Sequence, residues 1–187
     1  MKVAKSIGII YRARHILNKQ QLTQLYYSFV HCHINYANIV WGSAHKTKLK
    51  SLYQRQKHAA RSINFANRFT NSKPLLKEMK ALNVYELNVY NILCFMFKCK
   101  NYLSPNVFIN LCSIKPINKY TLRNDKNLKE PFCQTKFEQF FISYRGPSLW
   151  NKIVLPNFDF SLKWTFSSFK RKLKEIIFSI ENIYVYF

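Results

Sequence analysis

The chain has 187 residues, of which 48% are apolar and 17% aromatic, so it suits one domain or one and a half with a real core and is not a polar chain held open by its own charge. Thirty Lys and Arg against eight Asp and Glu give a formal net charge of +22, and residues 1–77 hold 14 basic side chains and no acidic one. Only three glycines occur, Gly8, Gly42 and Gly146, which excludes a glycine-rich loop cradling a phosphate and with it a P-loop or Rossmann nucleotide site.

AT-rich codons favour Lys and Asn, but Asp and Glu codons tolerate the same bias, so codon usage does not explain the missing acids. A folded surface of one sign most often faces a polyanion. The expected partner is therefore RNA or DNA and not a membrane; a surface with no partner, and an anionic membrane surface, are the weaker readings.

The first 16 residues read as the end of a helix, SIGIIYRARHIL, with Arg12 and Arg14 beside His15. A lysine inside the short apolar stretch argues against a signal peptide, and the chain is expected to be intracellular, nuclear or cytoplasmic, and not secreted. Asn18 and Gln21 form a capping-box pattern that predicts a helix over about 19–37, with Leu22, Leu25, Tyr26, Phe29, Val30 and Ile34 at 3, 4 and 7 spacing. At about 100° per residue His33 falls on the apolar face as a core histidine and His31 on the opposite one. The run Gln20 to His45 has no charged residue, yet His31, His33, Asn35 and Asn38 stand in its middle, so it reads as a buried helix and not as a membrane span.

A second helix is predicted from about Thr47 to Asn64, with Leu49, Leu52, Tyr53, Gln56, Ala60 and Ile63 on one side. Lys50, Lys57, Arg61 and, if the helix continues, Arg68 fall within an arc of about 40° on another side, at gaps of about 10, 6 and 10 Å that suit phosphates along a strand. An ordinary solvated face mixes signs through Glu–Lys pairs, and no Glu is available here. The candidate nucleic-acid contacts are therefore Arg12, Arg14, Lys50, Lys57, Arg61 and Arg68.

Lys73-Pro74 predicts a short helix over Leu75 to Leu82, and a third long helix, about Val84 to Asn101, is apolar nearly all round, as inside a bundle. Residues 116–150 then show no strong helical period, and FEQFFISYRG (137–146) reads as a strand or two in a small β-hairpin. SSFKRKLKEIIFSI closes the chain as a basic amphipathic helix, with Phe166, Phe169, Leu173, Ile176 and Ile180 on its apolar stripe. The fold class is mainly α: a basic helical bundle over 1–112, then a less regular segment over 113–187 that ends in that helix.

Metal-dependent polymerases and nucleases need clustered carboxylates. The two aspartates, Asp125 and Asp159, stand in unrelated contexts, and no acidic pair is present. Cys32, Cys94, Cys99, Cys112 and Cys133 contain no C-x-x-C pair, and His31-Cys32-His33 lacks the further ligands of a zinc quartet. The sequence assigns no catalytic residue, no metal and no cofactor.

Several segments, in order, resemble the region after the palm in the reverse transcriptases of non-LTR retrotransposons of the jockey type. They are KSIGIIYRAR (5–14), LYYSFVHCHINYANIVWGSA (25–44), LYQRQKHAAR (52–61), NSKPLLKEMKALNV (71–84), YTLR (120–123), YRGPSLWN (144–151), VLP (154–156) and SSFKRKLK (167–174). The most specific are the Trp-Gly end of the second block, the Gln-Lys-x-Ala-x-Arg pattern of Gln56 to Arg61, and Gly146-Pro147-x-x-Trp150-Asn151. The resemblance implies a thumb and the segment following it, gripping a template and primer duplex. It also implies that the catalytic Asp-Asp motif, the primer-grip element and the endonuclease belong to regions preceding this stretch, so that this chain has no polymerase activity of its own. A thumb packs on a palm domain, and the missing palm is expected to leave the apolar sides of residues 7–16 and 84–97 without a partner. Two other readings remain beside this one: a complete basic helical RNA-binding protein of maturase-like character, and a helical interaction protein with no nucleic-acid role.

Overall fold

A computed structural model of the chain describes residues 2–108, 127–159 and 163–180, which are mainly helical with no strand among them. Cys112, Asp125, the YTLR segment and the 112/113 boundary lie outside the described residues. By backbone proximity the chain divides into two compact units, Met1–Asn88 and Val89–Tyr186.

In the first unit, α1 (Lys2–Ala13) buries Val3, Ser6, Ile7 and Ile10 at helical spacing and packs on α5 (Lys46–Ile63). α2 (Lys19–Tyr26) begins with the expected capping box: Asn18 Oδ1 accepts from the Gln21 amide at 2.9 Å, and Gln21 Oε1 accepts from the Asn18 amide at 3.1 Å. The single helix predicted to residue 37 is not formed. α2 passes into a π-helical turn, Tyr27–His31, then α3 (Cys32–Asn35), and after Ala37, at φ 48°, the chain restarts as α4 (Asn38–Trp41).

The wide turn takes up one extra residue, so everything after it is set back by one position. Ile34 then occupies the phase that a regular helix gives to His33. Accordingly Leu22, Tyr26, Val30 and Ile34 are buried, while Phe29 and His33 are exposed. His33 is thus not a core histidine. His31 is half-buried, with its ring 5.1 Å from that of Tyr27.

α5 buries Leu49, Tyr53, Gln56, Ala59, Ala60 and Ile63, close to the predicted side. It ends at Ile63, so Arg68 does not extend its basic stripe. Phe65, at φ 52°, reverses the chain, and the Ala66 amide donates to the Arg61 carbonyl at 3.0 Å, a Schellman-type closure. α6 (Ser72–Glu78) starts earlier than predicted because Asn71, not Pro74, provides its cap, accepting from the Lys73 amide at 3.1 Å. Lys80 at φ 54° closes it as Phe65 closes α5, the Ala81 amide reaching the Leu76 carbonyl. A chain with so few glycines places ordinary residues in left-handed turns, each at a cost of about 1 kcal/mol.

α7 (Val84–Lys100) begins in the first unit and continues in the second. Asn83 Oδ1 accepts from the Tyr85 and Glu86 amides at 2.9 and 3.0 Å, and Glu86 accepts from the Asn83 amide at 2.9 Å. Burial raises the Glu86 pKa. α7 is buried on most sides, as its composition requires, so residues 84–97 present no unpartnered face; the exposed apolar surface of α1, at Ile9 and Tyr11, remains.

In the second unit FEQFFISYRG forms no hairpin. It is a 3₁₀ turn, Glu138–Phe140, leading into α8 (Ile142–Leu149). Of its aromatic residues only Tyr144 lies in α8; Phe141 is extended at the start of that helix, and the Phe137 ring lies 6.4 Å from Phe140 and 5.5 Å from Phe141. Pro147 inside α8 and the π-helical turn Trp150–Val154 before α9 (Leu155–Asn157) disrupt the period and hide the helix from sequence reading. Asn151 ties the preceding segment: its side chain accepts from the Leu128 amide at 2.9 Å and donates to the Leu128 carbonyl at 3.0 Å and to Glu130 at 3.0 Å. α10 (Phe166–Ser179) buries Phe169, Leu173 and Ile177, where Ile176 and Ile180 were expected beside the first two. Phe169 stacks 4.2 Å from Phe97 and lies 6.0 Å from Trp150 and 4.9 Å from Phe158, an aromatic core for this unit.

Candidate nucleic-acid interface

The packing of α1 on α5 sets their polar edges side by side. Between them lies an open depression of about 390 Å3 lined by Tyr11 from α1, Arg14 from the turn just after it, His58 and Arg61 from α5, and Ala66 and Arg68 from the turn that follows α5. A second depression of about 330 Å3 shares Tyr11 and His58 with it and adds Gly8 and Arg55. Three of the six candidate residues, Arg14, Arg61 and Arg68, therefore converge on one site, although Arg68 arrives by the reversed turn and not along a helix face.

The rings and cations here hold one another. The Arg14 guanidinium lies 4.8 Å over the Tyr11 ring, and the Tyr11 and His58 rings are 6.1 Å apart. Arg61 Nε donates to the Thr70 carbonyl at 2.8 Å, which folds residues 65–70 back on the end of α5. Lys57, one turn before Arg61, lies 4.2 Å over the Tyr53 ring. Its pKa is lowered by desolvation and then by the nearby charges of Arg61 and Lys73, so an anion placed here would relieve that repulsion.

The other three candidates, Lys57, Lys50 and Arg12, line neither depression: Lys57 stands one turn before Arg61, while Lys50 and Arg12 are exposed, Arg12 directing its Nε toward the Gly8 carbonyl at 3.4 Å. Sequence reasoning missed Tyr11, Arg55 and His58. Arg55 and His58 fall three residues apart, flanking the basic arc of α5, and only the placement of α1 makes that flank the concave side. Residues 1–88 contain 15 basic side chains and two acids, Glu78 and Glu86. Glu78 pairs with Lys19, Glu86 caps α7, and neither lines a depression.

Among the described residues no helix is long and apolar enough to cross a membrane. No protein-family profile, no curated protein and no solved structure matches the chain.

Proposed function

We propose that the chain grips the phosphate backbone of RNA or DNA without catalysing chemistry on it, as the thumb-like C-terminal part of a non-LTR retrotransposon reverse transcriptase, whose palm domain is its other partner. The observation that carries this reading is the convergence of Arg14, Arg61 and Arg68 on one depression in a unit whose two acids are engaged elsewhere. Guanidinium groups match phosphate oxygens as planar forks, and fixed cations without local counter-charges attract a polyanion strongly. The family assignment draws support from the duties of the residues that carry the resemblance. Gln56 is the buried polar tie of the first unit, Arg61 closes the turn beside the depression, and Asn151 holds the segment at Leu128.

The test is the salt dependence of binding. Each phosphate contact contributes about 0.7 to 0.9 to the slope of log K on log salt, so Arg14→Ala with Arg68→Ala is expected to flatten that slope by about 1.4 to 1.8 on unrelated sequences. Arg61 is left in place because its bond to Thr70 shapes the turn. A folded double variant with the wild-type slope would remove this site from the interface. The same preparations are expected to give no templated nucleotide incorporation with Mg2+ or Mn2+, since the carboxylates that hold two metal ions are lacking; primer extension abolished by Asp159→Asn would overturn the non-catalytic reading.

A further inference from the structure

We infer that the α1/α5 depression takes unpaired nucleotides of a single strand in preference to a duplex, its arginines meeting phosphates while exposed rings at its edge meet base faces. This rests on the backbone-gripping reading above and specifies its ligand. Tyr11 lines the depression and is 46% exposed; Phe65 and Phe69, chain neighbours of the lining residues Ala66 and Arg68, are 55% and 89% exposed. A basic concavity by itself attracts single and double strands alike. Large aromatic surfaces left in water beside it do not, because a duplex closes its base faces by stacking and a single strand leaves them open.

One backbone feature delivers both kinds of contact. The left-handed Phe65 turns the chain at the end of α5, and the Arg61 bond to Thr70 folds the turn so that Arg68 reaches the depression. On the facing helix Tyr11 is held by Arg14 and His58, a surface arranged for stacking before any base arrives. Charge complementarity selects the occupant: residues 1–77 carry no acid that would repel a phosphate chain. Neither guanidinium groups nor rings read the 2′ position, so RNA and DNA strands are both ligands. The thumb resemblance by itself implies a duplex grip, and the rings therefore separate two different expectations.

The experiment is fluorescence anisotropy on the full chain with one mixed-sequence oligonucleotide, presented as single-stranded DNA, as RNA, and annealed into a DNA duplex. Wild type is expected to bind both single strands more tightly than the duplex. Phe65→Gly with Phe69→Ser is expected to weaken single-strand binding about 5- to 100-fold, while leaving duplex affinity and the salt slope unchanged. Glycine is the residue a left-handed position accepts best, so the thermal midpoint should not fall and a loss of binding is not a loss of fold. Phe69→Ser alone, outside any helix, should give a smaller loss of the same selectivity. Equal losses on strand and duplex, or no loss on the strand, overturn the inference. So does an unchanged strand affinity together with the loss of a self-associated species in sedimentation, which would make the rings a protein contact. Failure of the backbone-gripping reading is distinguishable, because it is read from Arg14→Ala with Arg68→Ala through the salt slope, which the ring substitutions leave alone.

Discussion

Replacing Gln56 by leucine is expected to destabilise the first unit by about 3 kcal/mol, a drop of at least about 10 °C in its thermal midpoint, although leucine is the more hydrophobic residue. Gln56 lies on the buried side of α5 and is fully enclosed. Its Nε2 donates to the Tyr26 hydroxyl at 2.8 Å and to the Leu82 carbonyl at 2.9 Å, and its Oε1 accepts from the Val84 amide at 3.0 Å. One side chain thus joins α2, α5 and the start of α7. Leucine would leave three polar groups without that partner in a place water does not reach, at about 1–3 kcal/mol each, offset in part by its own gain in apolar burial. Tyr26→Phe removes one bond of the set and should cost only about 1 kcal/mol. In the Gln56→Leu background that second change should cost less than it does alone, since the groups act together. Urea denaturation followed by circular dichroism measures all three variants, and a Gln56→Leu protein within about 1 kcal/mol of wild type would mean the network does not hold the unit.

Gly42→Ala is the second large effect. A Cβ built on Gly42 would lie 2.4 Å from the Asn38 carbonyl oxygen and 2.6 Å from Asn88 Nδ2. Neither can retreat cheaply: Asn38 is buried with its Nδ2 on the Ile34 carbonyl at 3.2 Å, and Asn88 Nδ2 already donates to the Asn38 carbonyl at 3.1 Å. The backbone of Gly42, at φ −72°, is one any residue adopts, so the demand for glycine comes from close approach alone. The expected cost is about 2–3 kcal/mol, as for overpacking a core. Gly8→Ala is the matched comparison. It sits inside α1 with nothing within 4 Å of its Cβ position, so alanine should stabilise by about 0.5–1 kcal/mol. Equal unfolding midpoints for the two variants would contradict the packing described around Asn38 and Asn88.

Much of the candidate interface was legible in part. The basic arc of α5 was readable because a regular helix preserves phase: Lys50, Lys57 and Arg61 share a side as expected, and Lys57 and Arg61 lie one turn apart beside the depression or on its wall. Arg14 was singled out on charge alone. Phe65 and Tyr11 carried no signal, because an exposed aromatic ring reads as an unremarkable core candidate until its neighbours are known.

The sequence by itself determined the mainly α character, the boundaries of α5 and α7, the capping box at Asn18, and the one-sided charge of the first 77 residues. These are local properties: caps, period and composition act within a turn or two, and no distant contact overrides them here. Tertiary structure alone decided where phase is broken and which surfaces meet. The π-helical turn at Tyr27–His31 takes His33 and Phe29 out of the core while Ile34 stays in it, and the left-handed Phe65 diverts Arg68 from the helix axis into the depression. A reversed residue other than glycine costs about 1 kcal/mol against the regular alternative, and contacts made with other elements offset it. The site exists because α1 lies against α5, and that juxtaposition is a long-range contact which no window of sequence contains.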